Sequence, residues 1–179
     1  MTFRIASARP QDAPIVLDLV RQLAEYEKLS HLVVATEEDV QRELFGPRAV
    51  AECVIGWEST GAGERGGAAP HAVGFALYFQ NFSTFLSRRG LYLEDLFVVP
   101  QARRRGYGKA LIAHLARIAV ERGCGRFEWA VLDWNRSAIE FYQALGATVL
   151  PDWRICRVSG EALGRLGAPS AADAAARAD

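Results

Sequence analysis

The stretch Val98-Val99-Pro100-Gln101-Ala102-Arg103-Arg104-Arg105-Gly106-Tyr107-Gly108-Lys109 limits the possible folds more than any other part of the chain. Before it, Leu91 to Val99 reads as a long, mostly apolar strand that stops at Pro100. After it, Leu111, Ile112, Leu115, Ile118 and Ala119 recur at the helical period, and Gly123 stands where a C-terminal cap belongs. A strand that passes through one short turn into an amphipathic helix lays that helix on a sheet, so the chain is committed to a layered α/β architecture. The first turn of such a helix has unpaired N–H groups and a partial positive charge. Glycine admits a ligand close to the backbone, and Arg103, Arg104, Arg105 and Lys109 offer charge-assisted bonds. That combination suits phosphate or pyrophosphate. A solvated basic loop is the plain alternative, and spacing alone leaves both open. No Gly-Lys-Ser/Thr follows, which excludes a Walker loop, and the third glycine of a dinucleotide fingerprint is missing.

The flanking segments give the order βααβββαβαββ. Phe3 to Ala8 reads as a strand, and Ile15, Val16, Leu19, Val20, Leu23 and Tyr26 form a helical stripe. Thr36-Glu37-Glu38-Asp39 resembles a capping box, with Asp in place of Glu, opening a helix toward Phe45. Ala51 to Trp57 and Ala72 to Phe79 read as a hairpin around a glycine-rich loop at 59–71. Phe127 to Leu132 is the next strand, and a helix from Asn135 to Leu145 presents Ile139, Phe141, Tyr142 and Leu145. Thr148 to Leu150 and Arg154 to Val158 read as two closing strands. Residues 1–166 are expected to form a single domain, and the alanine-rich tail 167–179 to fray. The pattern is mixed α/β, with neither internal repeats nor strict βαβ alternation.

Composition narrows the function. The 179 residues set a prior of one domain, and half of them are hydrophobic, enough for a packed core. Basic and acidic residues balance at 21 each, which argues against a protein held to nucleic acid by overall charge. No apolar run approaches the roughly 18 residues of a membrane span, and the first residues do not read as a secretory signal. Cys53, Cys124 and Cys156 fit neither a disulfide framework nor close-spaced zinc ligands. The expectation is a cytoplasmic protein with no metal, no membrane partner and no nucleic-acid partner.

Two motifs carry a resemblance. Arg103-Arg104-Arg105-Gly106-Tyr107-Gly108 resembles the Arg/Gln-x-x-Gly-x-Gly/Ala motif of the GNAT N-acetyltransferase superfamily, and Asp133 to Ala147 resembles its second motif. Leu23 to Glu27, Val73 to Ala76, Leu91 to Val98 and Trp134-Asn135 are similar to the spermidine/spermine (diamine) N-acetyltransferase branch. The resemblance runs from about Phe3 to Leu166. It implies a GNAT fold: a mostly antiparallel sheet of about seven strands, splayed in the middle and flanked by helices. It also implies acetyl-CoA as cosubstrate and a homodimer.

The resemblance further implies cofactor contacts from the backbone of Leu96, Phe97 and Val98, where the pantetheine arm would pair with a strand edge. The pyrophosphate would sit on the Arg103, Arg104, Arg105, Gly106, Tyr107, Gly108 and Lys109 turn, with Asn135, Arg136, Ser137 and Ala138 lining the other side. Asn135 is also a plausible plain N-cap, and one role does not exclude the other. Tyr142 matches the general acid that protonates the departing thiolate; the alternative is a core aromatic. Amine contacts are implied at Tyr26, Glu27, Glu128, Trp129, Ala130 and, by an approximate match, Asp152.

Glu94 is the candidate proton acceptor, because it interrupts an apolar strand. Adjacent strand residues face opposite sides, so Glu94 and Asp95 cannot share one cleft without a bulge. Glu94 is assigned to the cleft, and a structural role stays open for Asp95. The expected activity is acetyl transfer to a primary amine of a small, polyamine-like cation in a ternary complex. An amino acid or lysine analogue such as thialysine is the alternative acceptor. A non-catalytic acyl-CoA-binding module is the third reading, and the presence of both Glu94 and Tyr142 weighs against it.

Overall fold

The computed structural model describes residues 1–59 and 69–168. Strand β1 (Thr2–Ser7) leads through a 3-10 turn at Pro10–Asp12 into helix α1 (Ala13–Tyr26), and helix α2 (Glu37–Phe45) follows. Strands β2 (Glu52–Ser59), β3 (His71–Ser83) and β4 (Arg88–Val98) come next. A 3-10 turn at Pro100–Ala102 then opens into helix α3 (Tyr107–Glu121), and strand β5 (Phe127–Trp129) follows. Helices α4 (Arg136–Ala144) and α5 (Gly160–Leu166) complete the described elements. The chain divides into two compact units, residues 1–135 and 136–179. The first holds the sheet and α1 to α3, and the second holds α4 and α5.

The sheet has the order β1-β2-β3-β4-β5. Strands β1 to β4 are antiparallel neighbours, whereas β5 runs parallel to β4. The parallel step needs a crossover, and α3 supplies it. On one face, Val16, Leu19 and Leu23 of α1 pack on Cys53, Ile55, Phe75 and Phe97. These residues follow the 3.6-residue period on the helix and the period of two on the strands. Burial pushes the Cys53 thiol up to about 12, so it serves as a packing group rather than a nucleophile. Helix α3 packs on β1, β3 and β4 and buries Leu111, Ile112, Leu115 and Ala119. The capping box of α2 forms as expected. Thr36 Oγ1 accepts from the Asp39 N–H at 3.2 Å, and Asp39 Oδ2 accepts from the Thr36 N–H at 3.0 Å.

The mixed α/β class holds, but the sheet has five strands rather than about seven. The strand expected over Phe127 to Leu132 ends at Trp129. Thr148 to Leu150 and Arg154 to Val158 are not strands; Val149, Leu150, Trp153, Ile155 and Val158 lie exposed in irregular chain. β-branched and aromatic content says only that side chains suit a pleated surface, and a strand exists only where a ladder partner does. Helix α5 was not foreseen. The centre of the 59–71 loop and nearly all of the tail from Gly167 lie outside the described residues.

Strand β4 lies tight against β3 at its C-terminal end. Gly74 pairs with Val98, and a Cβ on Gly74 would lie 2.5 Å from the Phe97 carbonyl oxygen. Backbone cannot yield as a flexible side-chain end can. Gly74→Ala is therefore expected to destabilise the protein by about 1–3 kcal/mol, seen as a lower urea midpoint. An unchanged midpoint would show that β4 gives way.

Candidate active site

Two irregularities in β4 build the site. First, Leu77 pairs with Asp95 while Tyr78 pairs with Leu93, so Glu94 is an extra residue in a β-bulge. Leu93 and Asp95 would share a face in a regular strand, and the bulge separates them. Leu93 stays buried, whereas Asp95 joins the face of Leu77 and Phe97, toward α1. Second, β4 pairs with β5 only over Leu91 to Leu93. From Glu94 to Val98 its β5 side has no strand partner among the described residues, because β5 ends at Trp129.

Three carboxylates gather there. Glu94 is exposed, Asp95 is half-buried, and Glu27 caps the C-terminal end of α1. Burial pushes the Asp95 carboxyl up to about 6, and the negative charges of Glu94 and Glu27 add to the shift. Burial also raises Glu27 above the ordinary carboxylate range. The bulge therefore removes the obstacle set by strand alternation, and the charges of Glu94 and Glu27 both act on Asp95. Tyr26 stands beside it. Its ring lies 4.3 Å from the Arg103 guanidinium carbon and 6.2 Å from the Trp134 ring.

The turn before α3 sorts its cations. Arg103 Nε donates to the Val98 carbonyl at 2.9 Å, and its guanidinium also lies over Phe97. Arg105 and Tyr107 both reach Glu58 on β2. Arg104 and Lys109 are exposed and form no ion pair among the described residues. Arg104 and Gly106 have φ of 63° and 81°, and Gly106 caps α3 without any side-chain bond. A Cβ on Gly106 would meet open space, so this glycine serves the left-handed backbone rather than close packing. No hydrogen bond ties down the N–H groups from Arg104 to Lys109 among the described residues. Free donors at a helix start beside two unpaired cations fit a pyrophosphate.

The other site residues expected from sequence lie on several elements. The backbone of Leu96, Phe97 and Val98 forms the splayed end of β4, and the Phe97 side chain lies in the core. Glu128 is already matched: Arg126 Nε lies 2.8 Å from its carboxylate, and Asn81 Nδ2 donates to it at 3.2 Å. Trp129 packs edge-on to Phe127, and Ala130 follows the end of β5. The Asn135 N–H donates to the Leu132 carbonyl at 2.8 Å. In the second unit, α4 carries Arg136, Ser137, Ala138 and Tyr142, whose ring is tilted against Phe141 at 5.2 Å. Asp152 lies exposed in the irregular chain after α4. Sequence reading missed Glu58 and undervalued Asp95; only the register of β4 carries a signal for the latter.

Residues 19–147 match the acetyltransferase (GNAT) family. The chain belongs to that family. It is 39% identical to thialysine N-epsilon-acetyltransferase of Mus musculus over 166 residues, covering 91% of this chain and 96% of that one. It is 35% identical to L-ornithine N5-acetyltransferase of Arabidopsis thaliana over 198 residues, covering 91% and 87%. In fold it is similar to an integron cassette protein from V. cholerae, with a TM-score of 0.74, 24% identity, and coverage of 93% and 98%. This GNAT protein is thus an N-acetyltransferase, and enzymes of its family take the acetyl group from acetyl-CoA.

The Asp95 carboxyl gives a stability test. Its raised value means that the folded chain holds the proton more tightly than the unfolded chain, whose carboxyl titrates near 3.8. The corresponding stability is present below pH 4 and is lost as pH rises through about 6. Asp95→Asn removes the ionisation, so its advantage over wild type should be small at pH 4, grow as pH rises to about 6 and level off above it. The ceiling is on the order of 3 kcal/mol. Melting curves showing the same difference at pH 4.5 and 7.5 would contradict a buried, titrating Asp95.

Proposed function

We propose that this GNAT enzyme acetylates a primary amine of a small cationic acceptor by direct transfer from acetyl-CoA in a ternary complex, within a single domain over residues 1–166. The observation that carries the reading is the convergence of Glu27, Glu94 and Asp95 beside the unpaired end of β4. Three carboxylates attract a cation, and the free strand edge suits the amide groups of a pantetheine arm. The Arg104–Lys109 turn holds the pyrophosphate through its N–H groups. Asn135, Arg136, Ser137 and Ala138 line the cosubstrate's other side.

The reaction forms a C–N bond, breaks the C–S bond, and must move two protons in opposite directions. An alkylammonium with pKa near 10.4 is neutral in about one molecule in 2,500 at pH 7, a cost near 4.6 kcal/mol. Glu94, directly or through water, takes the ammonium proton. Tyr142 gives its hydroxyl proton to the departing thiolate. Transfer from a phenol near 10 to a thiolate near 8.5 is uphill by only about 2 kcal/mol.

The resemblance to the spermidine/spermine branch points to a polyamine-like acceptor. A second reading, the side-chain amine of an amino acid, is favoured by the thialysine and ornithine acetyltransferases at 39% and 35% identity. Thiol release measured with diamines, polyamines, ornithine and lysine analogues separates the two. Release with none of them would sink both. The cytoplasm is the proposed location; three free cysteines are consistent with it, and among the described residues no helix is long and apolar enough to cross a membrane.

Tyr142→Phe should lower kcat by about 10²-fold or more with little change in acetyl-CoA affinity. Glu94→Gln should impair turnover at pH 7, with a defect that shrinks toward pH 10 as free amine becomes abundant. Tyr142→Phe should show no such rescue. Near-wild-type turnover in Tyr142→Phe removes it as the acid, and a Glu94→Gln defect independent of pH removes Glu94 as the proton acceptor.

The proposed assembly is a homodimer, supported by the apolar residues left exposed between Val149 and Val158. Sedimentation should give twice 19.6 kDa at micromolar concentration. A clean monomer would overturn it.

A further inference from the structure

Arg105 and Tyr107 belong to the turn assigned to the pyrophosphate, yet their polar ends are tied to one buried carboxylate. The Glu58 side chain is 6% exposed. Arg105 Nη1 donates to Glu58 Oε1 at 2.8 Å and Oε2 at 3.1 Å, and the Tyr107 hydroxyl donates to Oε1. Arg105 Nη2 also donates to the Gln101 carbonyl at 3.1 Å, closing the turn on itself. His71 Nε2 lies 3.6 Å from Oε2. The Tyr107 ring stacks on Phe3 at 4.0 Å and 5°, and the Phe3 ring occupies the space beside Gly56 that a Cβ would fill. Glu58 pairs with Phe3 on one side and His71 on the other, so the clamp joins the turn to three strands.

The turn needs such a clamp. Arg104 holds φ at 63° and Gly106 at 81°, and non-glycine backbone in that region persists only where its surroundings fix it. Binding is tighter when donors are aligned before the ligand arrives, because their ordering entropy is already spent. A carboxylate buried for stability alone is replaceable by apolar packing of the same shape. This one holds residues on both sides of Gly106.

We propose that Glu58 is a positioning residue for acetyl-CoA. By fixing Arg105 and Tyr107, it aligns the Arg104–Lys109 N–H groups, with Arg104 and Lys109 outward, to receive the pyrophosphate. The inference rests on the pyrophosphate reading given under Proposed function.

The test compares kcat/KM for acetyl-CoA with that for S-acetylpantetheine, which has the same thioester and arm but no pyrophosphate. Glu58→Gln and Tyr107→Phe should each lower the acetyl-CoA to acetylpantetheine ratio by about tenfold or more. The KM for acetyl-CoA should rise without a matching rise in the KM for the amine. Glu58→Asp, which keeps the charge, should recover part of the ratio. Tyr107→Phe keeps the stack on Phe3 and carries the test if Glu58→Gln does not fold. A Glu58 that is only structural would depress both thioesters alike and leave the ratio unchanged, overturning the proposal. The double variant Arg104→Ala, Lys109→Ala separates the two layers. If it too leaves the ratio unchanged, the pyrophosphate reading fails and the clamp with it. If it lowers the ratio while Glu58→Gln and Tyr107→Phe do not, only the clamp fails.

Discussion

Between Leu93 and Asp95, β4 holds one residue more than the β3 segment it faces, and the rest of the site follows from that insertion. In a regular strand Leu91, Leu93, Asp95 and Phe97 would all point one way. The bulge instead leaves Leu91 and Leu93 on one face and carries Asp95 and Phe97 to the other, where Phe97 completes the core beneath α1. The ladder to β5 stops at Leu93, where the bulge begins. A bulge bends and twists its strand. One inserted residue thus moves Asp95 to the face beneath α1, and the ladder to β5 ends at the same point.

The cluster stores unfavourable energy. Asp95 is half-buried, and burial together with the charges of Glu94 and Glu27 holds its carboxyl above the ordinary carboxylate range. A cationic group placed beside them would relieve that repulsion. The same attraction makes the ammonium harder to deprotonate. A carboxyl held near 6 can exchange protons with a neighbouring acid and with water in the neutral range more readily than one near 4. Attraction and deprotonation thus conflict in any acetyl transfer to an amine.

The turn before α3 divides identical charges among different tasks. Arg103 folds back on the Val98 carbonyl and the Tyr26 ring, linking the turn before α3 to the end of α1. Arg105 is anchored at Glu58, while Arg104 and Lys109 remain turned to solvent. Residues adjacent in sequence end in three environments because two of the turn's backbone positions take the left-handed conformation and rotate their neighbours apart.

What the sequence determined by itself was local: the strand ending at Pro100, the glycine start of α3, the helical stripes of α1 and α3, and the Thr36 capping box. Each depends on residues within a few positions of one another, whose periodicity and capping chemistry act before any distant contact forms. The interrupted apolar strand drew attention to Glu94, and family motifs extended the reading to Tyr142 and the turn before α3. Tertiary structure alone decided the remainder. Arg154 to Val158 has strand composition but no ladder partner in the described chain, so it is not a strand. Asp95 changed face because pairing with β3 absorbed Glu94 as an extra residue, and no single-strand pattern encodes its partner's register. Glu58 looks like any acidic residue near a loop until folding brings it to Tyr107, 49 residues away. Burial and long-range pairing assign such roles, and both arise only when separate strands meet.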